Sequence, residues 1–285
     1  TTASQFHSRA RLLSVITLEN YMSAPIRIIL RALAVIAIMV APTAHAQQSV
    51  ETQVTKRILV AGATGQSGKL IVTALLEKGF TVRAMSRSAE RAASLGDGVE
   101  PAEADVTDPS SLSSAMIGVD AVLSAIGGRR PIGSNGFEAV DWEGNRALID
   151  AAKAAGVRRF ILMSGGSAGR DGFLYTLPIA PYPWKAKAES HLRESGLDYT
   201  IVAPGGLRDE PAGRYGVRLT TRPNYLVGQI NRADVAEVMV ASLMDGSTIG
   251  KTRTIIANPS RKVPSAINAI STINSRVTGP RLNPV

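Results

Sequence analysis

Gly62-Ala63-Thr64-Gly65-Gln66-Ser67-Gly68 follows a short apolar run, Arg57-Ile58-Leu59-Val60-Ala61, and precedes a segment in which Leu70, Ile71, Ala74, Leu75 and Leu76 recur at helical spacing as far as Lys78-Gly79. Strand, glycine turn and helix in that order form a phosphate-binding unit. Gly62 allows the tight turn out of the strand, Gly65 lets backbone approach a pyrophosphate, and Gly68 lets the helix sit close to the sheet. The amino end of that helix offers unpaired N–H groups and a partial positive charge. The spacing is G-x-x-G-x-x-G. It predicts a dinucleotide site built from Gly62, Thr64, Gly65, Gln66, Ser67 and Gly68.

Working outward, the end of the second predicted strand carries Ser86-Arg87-Ser88, where an acid would accept from a ribose 2′-hydroxyl. An arginine there pairs with a 2′-phosphate through charge-assisted hydrogen bonds, and no carboxylate is present to repel it. NADP is therefore expected ahead of NAD, with Ser86 and Arg87 reading the phosphate. Further strands are predicted at 81–85, 99–104, 121–126, 159–163 and 199–203, with helical patterns at 88–95, 109–117, 138–155 and 184–195 between them. This alternation implies an α/β fold, a doubly wound parallel sheet of the Rossmann type. The alternation stops after Pro204. Residues 205–229, rich in Gly, Pro and Arg, read as a small irregular C-terminal lobe over the carboxyl edge of the sheet. Asn231-Arg232-Ala233-Asp234 then opens a helix to about Leu243, and a last strand runs over 252–257. The binding domain is thus placed at 55–258, with a loosely packed tail at 259–285.

Composition narrows the chemistry. The chain has 285 residues, 45% of them hydrophobic, enough for one large domain with an appendage. Its net charge of +9 is spread without a lysine/arginine block, which favours a phosphate-bearing small ligand over nucleic acid. The absence of cysteine excludes disulfides, thiolate metal ligands and a thiol nucleophile. Of the three histidines, His7 and His45 fall in or before a targeting segment, and His191 alone supports neither a metal site nor a Ser-His-Asp triad. No metal is expected.

That segment, 22–46, has the order of a secretory signal peptide. Arg27 and Arg31 precede an apolar stretch over 32–41, and Pro42-Thr43-Ala44-His45-Ala46 supplies small residues for cleavage after Ala46. The stretch is shorter than the ~20 residues a bilayer core requires, so no stable membrane insertion is expected after cleavage. Residues 1–21 read as an upstream extension. The expected location is periplasmic, or cytoplasmic if 22–46 is not a signal.

Five motifs in order carry a resemblance: G-A-T-G-Q-S-G at 62–68, A-D-V-T-D at 104–108, V-D-W-E-G-N at 140–145, A-A-K-A-A-G-V-R-R-F-I-L-M-S at 151–164 and S-G-L-D-Y-T-I-V-A-P-G-G-L at 195–207. Together they resemble the atypical short-chain dehydrogenase/reductases of the NAD(P)H-binding, NmrA-like type, over residues 57–257. The resemblance places Asp105 and Val106 near the adenine, and Ser124, Ala125, Ile126 and Gly127 beside the ribose and nicotinamide. It also implies Ser164 as the serine of the catalytic set and Lys185 as the lysine that grips the nicotinamide ribose. The chain departs from the pattern where a tyrosine precedes that lysine by four, because Pro181 stands there. Tyr182 precedes Lys185 by three, an offset expected to take the phenol off the face of the amine. Ala203 stands where many relatives carry an arginine before Pro-Gly.

The expected function is an NADP-dependent oxidoreductase acting on a small carbonyl or quinone-like substrate, held between the loop at 127–136 and the lobe, with Ser164, Lys185 and Tyr182 as the catalytic candidates. The alternative is a non-catalytic NADP(H)-binding sensor or scaffold. A sugar-nucleotide epimerase would need the Tyr-Lys pair and a larger substrate domain. The expected assembly is a monomer or homodimer with a small-molecule substrate as its partner.

Overall fold

The computed structural model describes residues 56–222 and 228–260. The upstream extension, the signal segment and the tail beyond residue 260 lie outside the described residues. No described helix is long and apolar enough to cross a membrane.

The chain begins with β1 (Arg57–Ala61), α1 (Gln66–Glu77), β2 (Thr81–Ser86), α2 (Ala89–Ala93) and β3 (Val99–Glu103). A 3-10 turn (Pro109–Ser111) leads into the single turn of α3 (Leu112–Ala115), followed by β4 (Ala121–Ser124). A π-helical segment (Glu138–Gly144) runs directly into α4 (Asn145–Ala154), then come β5 (Arg159–Met163), α5 (Phe173–Thr176), α6 (Tyr182–Glu194) and β6 (Asp198–Pro204). The last part holds β7 (Gly206–Arg208), β8 (Gly216–Thr220), β9 (Gln229–Asn231), α7 (Arg232–Met244) and β10 (Lys251–Asn258).

The main sheet has the order β3-β2-β1-β4-β5-β6-β10-β8, parallel except for β8, which pairs antiparallel with β10. Ile58 sits between Val82 and Ala121, and the same register continues to Ala61 between Met85 and Ser124. Alternate strand residues enter different cores. Ile58, Val60, Val82, Leu123, Ile161 and Val202 pack with Ile71 and Leu75 of α1 and with Val235 and Met239 of α7. Leu59, Met85, Val122, Phe160 and Ile201 pack on the other face with Leu148 and Ile149 of α4 and Leu192 of α6. Burial on both faces is why the strands read as unbroken apolar runs. Each such side chain contributes roughly 1.5–3 kcal/mol.

Because β1 is flanked by β2 on one side and β4 on the other, the first crossovers leave in opposite directions. This switch point opens a crevice at the carboxyl ends of β1 and β4, where α/β sheets bind ligands.

The segment expected to be an irregular lobe is corrected. It contains β7 and β8, with β9 beginning at its last residue, and β8 extends the main sheet as its edge, opposing Leu219 to Ile255 and Val217 to Ala257. Val217 and Leu219 reach the first core, while Arg218 lies between them. Their alternation is too short to stand out among the neighbouring Gly, Pro and Arg. β7 and β9 form a separate two-stranded parallel ribbon.

Candidate active site

The glycine turn is held by backbone geometry. Gly62 has φ +78°, a conformation that L side chains rarely adopt, and a Cβ on it would stand 3.1 Å from the Ala125 carbonyl oxygen. The Gly65 N–H donates to the Gly62 oxygen at 2.9 Å. A Cβ on Gly68 would fall 2.0 Å from that same oxygen and 2.8 Å from the Ala63 Cα, so only glycine lets α1 approach the turn. Gly65 caps α1 without a side-chain hydrogen bond, and the first turn carries no acid. The first N–H groups, from Gln66 and Ser67, are thus left for an anion.

A cleft of about 160 Å³ opens in front of this turn. Gly62, Thr64 and Gly65 form one wall, Ser86, Arg87, Asp105 and Val106 another, and Ala125, Ile126 and Gly127 the floor. The Thr64 and Ser86 hydroxyls lie 3.2 Å apart, and Ser86 Oγ accepts from the Ser88 N–H. Arg87 Nη1 donates to Asn135 Oδ1 at 2.7 Å, drawing the loop after β4 over the cleft. Asp105 turns its carboxylate onto its own loop, accepting from the Thr107 N–H and hydroxyl at 3.0 and 2.9 Å. A larger groove of about 750 Å³ runs between α3 and α4, but it is remote from the glycine turn and from Lys185.

The structure separates Ser124 from the other candidates. Its side chain is fully buried and its hydroxyl donates to Asn145 Oδ1 at 2.7 Å, so it supports the floor from beneath. Asn145 Nδ2 in turn donates to the Asp141 carbonyl at 3.0 Å, satisfying backbone loosened by the π-helical segment. Asp141, 1% exposed, then presents one carboxylate oxygen to the Gly128 N–H at 2.8 Å and the other to Lys185 Nζ at 2.7 Å. Gly127 lies over this pair, since a Cβ on it would be 3.5 Å from Asp141 Oδ1 and 3.9 Å from the Lys185 amine. Lys185 is thereby fixed beside Gly127, which lines the cleft.

Tyr182 corrects the expectation for its offset. Positions three apart on a helix are neighbours, and both its ring and the Lys185 Cδ approach the point above Gly165, at 3.9 and 3.6 Å. Tyr175 packs edge-on against the Tyr182 ring at 5.8 Å. Ser164, directly after β5, is 5% exposed and donates its hydroxyl to Glu189 of α6.

The sequence pattern of the family described as NAD(P)H-binding matches residues 62–246. The chain belongs to that family. An uncharacterised chloroplastic protein of Arabidopsis thaliana is 37% identical over 223 residues, which cover 71% of this chain and 77% of that protein. Sanguinarine reductase of Eschscholzia californica is 35% identical over 228 residues, covering 65% of this chain and 83% of that one. Among solved structures, ChuY, an anaerobillin reductase from Escherichia coli O157:H7, is 26% identical with a TM-score of 0.60, covering 73% of this chain and 100% of that one.

The residues of this NAD(P)H-binding protein suit such a cofactor. The cradle that a Cβ at Gly62 or Gly68 would fill and the uncapped start of α1 suit a pyrophosphate. Two cleft residues, Arg91 and Arg129, carry no signal in the sequence, because only the paths of α2 and of the loop after β4 bring them to the cleft that Arg87 lines. Asp141 does leave a trace. With Asn145 and Leu148 it falls at helical spacing on a face that is otherwise apolar.

Proposed function

We propose that the protein is an NADP-dependent oxidoreductase acting on a small carbonyl or quinone-like substrate. The observation that carries this reading is the Lys185–Asp141 pair beside Gly127, a residue lining the same cleft as Arg87, Arg91 and Arg129. Three guanidinium groups suit a 2′-phosphate, and a nearly buried amine suits the ribose and the substrate oxygen. Bound NADPH supplies the hydride. Asp141 keeps the Lys185 ammonium in place, and Nζ donates a proton to the oxygen of the acceptor as charge develops there. Tyr182 walls the substrate side over Gly165. That sanguinarine reductase and ChuY are named as reductases supports the same class of chemistry.

The test is NADPH oxidation by the purified protein against a panel of quinones and carbonyls, with Lys185→Met beside it. Turnover that falls at least about a hundredfold in the variant supports the assignment. Pro181, in place of the usual tyrosine, favours a second reading as a non-catalytic NADP(H) sensor. NADPH binding with no turnover on any acceptor would establish that one. We also propose export, carried by the charge and apolar pattern of 22–46, although the Arabidopsis relative is named as chloroplastic. Amino-terminal sequencing of the protein from a periplasmic fraction should then begin at Gln47.

A further inference from the structure

Glu189 lies one helical turn beyond Lys185 on α6 and is 1% exposed. A carboxylate so deeply buried needs full compensation, and it receives three donors. Oε1 accepts from the Ser164 hydroxyl and from Arg222 Nη2 at 2.5 Å, and Oε2 accepts from Arg193 Nη2 at 2.7 Å. Each donor comes from a different part of the fold. Ser164 directly follows β5, Arg222 follows β8, and Arg193 reaches across to the Thr252 hydroxyl of β10 at 3.3 Å. Arg222 also donates through Nη1 to the carbonyl of Ala168, in the loop that begins with Gly165. Tyr182 and Lys185 both pack on that loop.

We infer that Glu189 is a positioning residue that docks the β8 segment and the loop after β5 onto the helix bearing Lys185, and that Ser164 acts through it and not on the substrate. This rests on the oxidoreductase reading for its kinetic part only. A serine hydroxyl has one proton to give, and here it points at a carboxylate. The hydroxyl therefore has none left to offer a substrate oxygen. What Ser164 supplies is a third anchor for Glu189, and through Arg222 the anchor reaches the wall of the substrate space.

The test compares Glu189→Gln, Arg222→Lys and Ser164→Ala with the parent. NADPH affinity is read by fluorescence, acceptor kinetics by NADPH oxidation, and docking by the rate of tryptic cleavage after Arg218 in β8. Glu189→Gln keeps the shape but removes the charge that holds two guanidiniums. It should raise the acceptor KM and the cleavage rate about tenfold each, with kcat and NADPH affinity within about threefold of the parent. Ser164→Ala should move in the same sense by a smaller amount, its KM rising more than its kcat falls. Arg222→Lys, at the edge of the network, gives the same readout if Glu189→Gln does not fold. A fall in kcat of about a hundredfold on Ser164→Ala with KM unchanged would overturn the inference, as would unchanged cleavage in both Glu189→Gln and Arg222→Lys. If no acceptor is reduced, the oxidoreductase reading fails by itself, and the cleavage rates still decide the docking role.

Discussion

Single residues at the glycine turn answer to sterics so local that the sequence alone displays them. Gly68 is the severest case, because a methyl group there meets backbone and not the movable end of a side chain. Gly68→Ala is expected to lower stability by at least about 2 kcal/mol and to weaken NADPH binding with it, both measurable by urea denaturation with and without cofactor. Arg87 differs, since it is exposed and bonded only to Asn135 among the described residues. Arg87→Asp should leave stability nearly unchanged while shifting the NADP over NAD preference by about ten- to a hundredfold, the worth of one or two charge-assisted hydrogen bonds. Equal affinities for NADP in parent and variant would refute the phosphate assignment. The neighbours Arg91 and Arg129 were illegible for a physical reason. Local sterics place glycines, whereas the paths of α2 and of the loop after β4 place these arginines.

Among elements, strand periodicity survived almost intact, as β1, β4, β5 and β6 are buried on both faces and read as apolar runs, while β3, with Glu100 and Glu103, sits at the edge of the sheet. The helix expected over 138–155 shows where that kind of signal stops. Its apolar spacing is compatible with either winding, and only the structure reveals that Glu138–Gly144 is π-helical before α4 begins. The wider turn brings Asp141 toward Lys185, and Asn145 bridges from Ser124 to the loosened carbonyl. Asn145→Ala strands two buried polar groups. It should cost about 1–3 kcal/mol in urea denaturation and reduce turnover by displacing Asp141, while a variant of parental stability would show that the bridge is idle.

At the scale of the whole molecule, the part between β6 and α7 was misread as irregular because its order comes from distant partners. One of these contacts is legible in neither segment. Asp234, near the start of α7, is 1% exposed and accepts from the Gly213 N–H at 2.7 Å, while Asn231 Nδ2 bonds both Asp234 Oδ2 and the Pro211 carbonyl at 3.2 Å. The asparagine therefore spends its side chain on this latch and does not cap its own helix. Burial pushes the Asp234 carboxyl above the usual aspartate range, against the pull of the Gly213 and Asn231 hydrogen bonds. The unfolded chain then loses this proton first. The stability this carboxyl contributes is fully present below about pH 3.9, the unfolded value, and is lost as pH rises from there through the elevated folded value. Asp234→Asn cannot ionise, so the difference in Tm between variant and parent should move in the variant's favour across that window. A difference independent of pH would assign the buried proton elsewhere.

The contact between Gly68 and Gly62 has one more consequence, for how such a protein can change over generations. The atoms at Gly62 and Gly68 that leave room for a pyrophosphate also seat the first helix against the sheet, so a change there that spoils the cradle also costs the fold. The exposed arginines that line the same cleft are under no such constraint. The choice between dinucleotides can therefore change at exposed side chains without loosening the seat of the first helix.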